Sequence, residues 1–164
     1  AAMMAIDMGG PINKAAYVTG TALLTSAGSA GSDVMAAVMI GGMVPPLAIA
    51  ISATINKNIW PKAQRSGALV NYVMGLSFIT EGAIPFAASN PARVIPPLFI
   101  SSGIAGALSM TFGAVSKAPH GGIFAIAAGA VSNPLMYILA LVIGAVLGAL
   151  LLIASLSFGK KIVK

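Results

Sequence analysis

Apolar residues run through this chain in long stretches that polar residues barely interrupt. The stretches 34–55 and 135–158 carry no charge, and each is long enough as a helix to cross roughly 30 Å of hydrocarbon. A third, 94–115, opens near Pro96-Pro97, a pair that suits a first helical turn better than a helix interior. All three predict membrane-spanning helices. Pro45-Pro46 predicts a kink in the first, and Asp33 stands before it as an N-cap. Asn133-Pro134 gives the same cap-then-proline signal ahead of the last. Between these lie 67–92 and 117–134, whose apolar arms are too short to span. Glycine and proline beside their polar tips predict re-entrant hairpins rather than continuous helices.

The two hairpins carry a faint internal echo. Glu81-Gly82 leads through Phe86 to Ser89-Asn90-Pro91, and His120-Gly121 leads through Phe124 to Ser132-Asn133-Pro134, with unequal spacing. The chain therefore reads as an all-α integral membrane protein, with 1–164 forming a single membrane-embedded segment.

Composition narrows the class further. The 164 residues are 58% hydrophobic and 7% charged, with mean hydropathy +0.97, whereas a soluble domain averages about 25% charged residues. The formal net charge of +6 does not imply a nucleic-acid partner, because the cations cluster beside apolar runs. Lys57, Lys62 and Arg65 share one short loop, 56–66, and Lys160, Lys161 and Lys164 close the chain. This is the positive-inside signal. If both clusters face the cytoplasm, the number of crossings between them is even, as two spans and two hairpins make it. Trp60 reads as an interfacial anchor. Gly144 and Gly148 form a GxxxG that allows a close helix approach but does not by itself establish a dimer.

The absence of cysteine excludes disulfides, thiolate metal sites and cysteine nucleophiles in this chain. One histidine and three widely spaced carboxylates argue against a bound metal. The start, Ala1-Ala2-Met3-Met4, lacks the basic region of a signal peptide, so the sequence is expected to be an interior, rear part of a longer protein.

Two of the three acidic residues and the lone histidine fall in three short polar islands: residues 7–14, 79–86 and 117–122. Ionisable groups are costly inside a bilayer and are kept there mainly for handling substrates or ions. Glu81 can accept a hydrogen bond from a sugar hydroxyl or move a proton; it can also be a structural carboxylate at a helix start. His120, between Pro119 and Gly121-Gly122, has the loop-tip setting of a base rather than of a packed core residue. Gly9-Gly10-Pro11 forces a turn that exposes backbone groups, and Asn13 offers both a donor and an acceptor. Asp7 and Lys14 either pair across that turn or meet a ligand directly. No phosphate-binding loop pattern accompanies Gly9-Gly10.

The islands Asp7-Met8-Gly9-Gly10-Pro11-Ile12-Asn13-Lys14-Ala15-Ala16-Tyr17, Ile79-Thr80-Glu81-Gly82-Ala83-Ile84-Pro85-Phe86 and Ala118-Pro119-His120-Gly121-Gly122 resemble the membrane (IIC) component of the bacterial phosphotransferase system, fructose subfamily. The second also resembles the Thr-Glu-Pro loop of the wider glucose-type superfamily, with Gly82 where that group has proline. The resemblance implies a glucose-superfamily-like transport domain in the bacterial inner membrane. It implies binding of fructose or a related hexose and its presentation to a phosphocysteine on a IIB partner, with release as fructose 1-phosphate. Glu81 and His120 would then be catalytic. Gly9, Gly10, Asn13, Lys14, Asp7, Thr80 and Gly121 would bind substrate. No bound cofactor is expected, since the phosphoryl group comes from IIB, itself charged by IIA. A homodimer formed through the complete IIC domain is implied as well. The competing reading is a proton-coupled carrier of an unmodified substrate, with Glu81 as its proton site.

Overall fold

The computed structural model describes residues 1–162, with side chains through Phe158; the basic tail carrying Lys160, Lys161 and Lys164 lies outside the described side chains. Among the described residues the fold is helical, with no strand beyond isolated bridges. A 3-10 turn, Ala2–Ala5, precedes α1 (Pro11–Ala27) and α2 (Asp33–Ile55). Next come α3 (Lys62–Leu76), the 3-10 turn Thr80–Ala83 and the short α4 (Ile84–Ser89). Then follow α5 (Pro91–Thr111), the five-residue α6 (Ile123–Ala127) and α7 (Pro134–Ile162). Three of these, Asp33–Ile55, Pro91–Thr111 and Pro134–Phe158, are long and apolar enough to cross a membrane.

α2 is the central post. Its buried run extends almost unbroken from Met35 to Ala53, and α3, α5 and α7 pack around it. α5 and α7 instead turn one face inward and present Phe99, Ile100, Leu139, Val142 and Leu150 outward, which suits a hydrocarbon surrounding. Close approach of α7 uses its two spaced glycines. A Cβ on Gly144 would fall 2.5 Å from Ala105 Cβ, and one on Gly148 would fall 2.8 Å from Ala48 Cβ. The GxxxG thus packs within the chain, against α5 and α2.

Proline-freed carbonyls explain two long-range ties. A proline cannot donate to the carbonyl four residues earlier, so Pro46 leaves Gly42 and Pro97 leaves Arg93 without helical partners. Thr80 Oγ1 donates to the Gly42 carbonyl at 2.9 Å, and Ser155 Oγ donates to the Arg93 carbonyl at 2.9 Å. The Arg93 guanidinium returns a bond to the Ser155 carbonyl at 2.9 Å, fastening α5 to α7. Satisfying such groups internally matters most where water is excluded.

Several local expectations change. Pro96-Pro97 lies inside α5 because Asn90-Pro91 starts that helix earlier. Ser32, not Asp33, caps α2, its hydroxyl accepting from Met35 N at 3.1 Å. Asn133 turns its amide to the end of α5, donating to the Gly113 carbonyl at 3.1 Å. Trp60 is buried, bonded to Ser52 Oγ at 3.0 Å and stacked edge-on against Phe86, so it is a core residue rather than an interfacial anchor. Lys62 and Arg65 stand on the opening turns of α3 rather than in a loop.

Candidate functional site

Each polar island occupies a break between helices. In the first, Met8 and Gly9 take left-handed backbone (φ 44° and 115°), and Gly10 caps α1 with Pro11 as its first helical residue. The Asp7 carboxylate folds over this start. It accepts from Ile12 N at 2.7 Å and from Asn13 N at 2.9 Å, satisfying two donors that the helix cannot pair itself. Gly10 leaves room for it, since a Cβ there would fall 2.5 Å from Asp7 Oδ2. No ion pair joins Asp7 to Lys14 among the described residues. Asn13 is buried, and its amide N–H donates to the Met4 carbonyl at 2.8 Å.

The second island turns at the end of α3. Phe78 takes φ 62°, which lets the chain reverse before Thr80 is tied to α2 through Gly42. The 3-10 turn then packs on α3, with Gly82 against Asn71 and Met74, and Phe86 of α4 lies near Gly67. Thr80 is buried, while Glu81 beside it is exposed.

The third island belongs to an excursion between α5 and α7. Its base is closed by Lys117 N to the Ala130 carbonyl at 2.7 Å and Ser132 N to the Val115 carbonyl at 2.9 Å. Bonds between Ser32 and Ser116 fasten it to the start of α2. At its tip Gly122, with φ 56°, lies directly on the last turn of α3: a Cβ there would come 2.9 Å from Phe78 N. This docking brings the His120 ring 5.0 Å from that of Phe78, which also lies 6.3 Å from Tyr17.

All three islands therefore meet at one cavity of about 290 Å³, lined by Met4, Gly9, Asn13, Lys14, Tyr17, Phe78, Ile79, Thr80, Glu81 and His120. That volume lies near the lower end of the ~300–1,000 Å³ range of small-molecule sites, appropriate to a ligand of monosaccharide size. Glu81 and His120 are both exposed, and Lys14 adds a cation at the same wall. The wall pairs aromatic rings with a carboxylate, an amide and an imidazole, so it offers both apolar surface and hydrogen-bonding groups to a ligand. Gly9 is placed for Glu81: a Cβ there would lie 3.1 Å from both Cγ and Oε1 of the glutamate.

Asp7, Gly10 and Gly121 do not line this cavity. Asp7 holds the start of α1, Gly10 accommodates Asp7, and Gly121 (φ 123°) turns the tip that presents His120. Met4, Tyr17, Phe78 and Ile79 line the site without having been singled out for it from sequence. Tyr17 had one signal, its place one helical turn beyond Asn13 on the same face of α1. Among the described residues no group of three His, Asp or Glu side chains could hold a metal ion.

The chain is similar to parts of longer proteins. The chain is 53% identical over 153 residues (93% of this chain, 26% of the relative) to the "PTS system fructose-specific EIIB'BC component" of Rhodobacter capsulatus. It is 47% identical over 92% of its length to the "Fructose permease IIC component" of Bacillus amyloliquefaciens, covering 47% of that protein. It is 46% identical to the "PTS system fructose-specific EIIC component" of Haloferax volcanii, covering 92% of this chain and 39% of that one. The chain thus spans between about a quarter and under half of the length of these relatives. Neither a family model nor a solved structure matches it.

Proposed function

Given its homology over nearly its whole length to the fructose-specific IIC components of the phosphotransferase system, we propose that this chain carries the sugar site of such a component. One observation carries this reading: three islands far apart in sequence converge on a single cavity of monosaccharide size. The ligand is fructose or a close hexose. Tyr17 and Phe78 cover its apolar faces, the amide oxygen of Asn13 accepts from one hydroxyl, and Lys14 donates to another.

The chemistry is transfer of a phosphoryl group to a sugar hydroxyl. The hydroxyl oxygen attacks phosphorus, a P–O bond forms as the P–S bond to the donor cysteine breaks, and the thiolate leaves on the donor. The hydroxyl proton passes to Glu81 or His120. Phosphoryl transfer needs alignment and charge stabilisation more than covalent help from the acceptor side, and a held hydroxyl supplies the alignment. The donor must lie elsewhere, since this chain has no cysteine. Relatives fused as EIIB'BC and EIIABC components support IIB and IIA domains as that source. The resulting picture is a multi-pass component of the bacterial inner membrane, dimeric in its complete form. The breaks at Glu81 and His120 form the tips of re-entrant hairpins.

The test is phosphoenolpyruvate-dependent phosphorylation of labelled fructose by membranes carrying the intact transporter and its soluble phosphocarriers. Fructose 1-phosphate that appears only with the carriers present is the expected result. Uptake of unmodified fructose that persists without them would replace this reading with an ordinary carrier.

A further inference from the structure

Glu81 borders a second cavity. This one, about 420 Å³, opens on its α3 side and is lined by residues including Gln64, Asn71, Met74, Gly82 and Phe86. Asn71 is only 1% exposed, yet neither its amide nitrogen nor its amide oxygen has a hydrogen-bond partner. Gln64 Oε1, on the same cavity, is likewise buried without one. A buried primary amide with every donor and acceptor unused is costly, because each group has given up its bonds to water. Such groups are kept where something else completes them. Gly82 packs against the Asn71 amide, so the side chain is held at the turn that carries Glu81.

We propose that this second cavity is a polyol subsite, in which Asn71, assisted by Gln64, takes hydroxyls of a sugar bound against the α3 side of Glu81. A hydroxyl both donates and accepts, and a free amide offers both complements from one side chain. An anion would leave the amide oxygen unsatisfied, and an apolar ligand would leave both ends so. Glu81 lines both cavities and can therefore hold one hydroxyl while the rest of the ring exchanges the Tyr17–Phe78 side for the Asn71 side. Asn71 is then a specificity-determining residue on the sugar's route. The inference rests on the sugar-transport reading.

The lack of cysteine in this chain supplies the test, since one engineered thiol is the only one it contributes. Asn71→Cys, and separately Tyr17→Cys in the first cavity, would be labelled with a small methanethiosulfonate reagent in membranes of the intact transporter. The expected result is labelling slowed fivefold or more by saturating fructose at both positions, and unchanged by a disaccharide that is not transported. Protection at Tyr17→Cys alone would overturn the second subsite and leave the proposed function standing. Protection at neither would remove the sugar site itself. Should Asn71→Cys fail to reach the membrane, Gln64→Cys reads the same cavity. Asn71→Leu, which keeps the volume and removes both polar ends, is expected to raise the KM for fructose about tenfold at normal abundance. An unchanged KM would make Asn71 a packing residue and overturn the proposal.

Discussion

At the scale of single residues, the polar islands divide into groups that face the cavity and groups that build it. Glu81, His120, Lys14 and Asn13 face it; Asp7, Gly10 and Gly122 build it. The division makes different predictions for Asp7 and Gly9. Asp7→Ala removes the acceptor for two helix-start N–H groups and is expected to lower stability by about 1 kcal/mol. Its effect on the KM for fructose should be small, as a thermal melt and a transport assay on one preparation would show. Gly9→Ala should reach the cavity directly, because besides straining a left-handed backbone it crowds Glu81 at 3.1 Å. Phosphorylation is expected to fall at least tenfold at normal membrane abundance. Glu81 and His120 stand out in the sequence as polar groups beside helix-breaking residues in an apolar chain, and the structure brings both to one cavity. The task of Asp7 was not legible, because its reach to α1 depends on the left-handed turn at Met8 and Gly9.

At the scale of elements, apolar runs and Asn-Pro steps were readable, and long-range ties were not. Both Asn90-Pro91 and Asn133-Pro134 open long apolar helices, each after a polar tip and a short helix, so the faint echo in sequence appears as a repeated order of elements. α1 had no clear signal, for its apolar face is narrow and threonines interrupt it. Trp60 was misread because aromatic residues near basic loops commonly mark an interface, whereas here Ser52 and Phe86 offer a buried seat. Nor does any local pattern show that Pro46, in α2, frees the carbonyl that holds Thr80. That tie is testable by a double-mutant cycle. Thr80→Val should loosen the Glu81 turn and reduce turnover several-fold. Pro46→Ala, which restores the helical N–H, should make Thr80→Val less damaging, giving coupling of about 0.5–3 kcal/mol. Strict additivity in turnover and stability would sever Thr80 from the proline-freed carbonyl.

At the scale of the whole molecule, a buried post, α2, carries the second island through Thr80 and is fastened beside the third through Ser32. The outer helices α5 and α7 complete the packing with small residues inward and large ones outward. Gly148→Leu is therefore expected to abolish stable accumulation in the membrane, since even its Cβ would sit 2.8 Å from Ala48. Leu139→Val, on the exposed face of α7, should be tolerated; immunoblots of washed membranes compare the two. What the assembly achieves is convergence of three islands on one cavity, the proposed sugar site, with Glu81 on its wall. The measurement that tests this most directly is fructose phosphorylation by the intact transporter with Glu81→Gln, at matched membrane abundance and with all phosphocarriers supplied. The account predicts a loss of at least a hundredfold, because glutamine can neither take the hydroxyl proton nor hold the sugar as a carboxylate does. Phosphorylation near the unsubstituted rate would contradict it and remove Glu81 from the site.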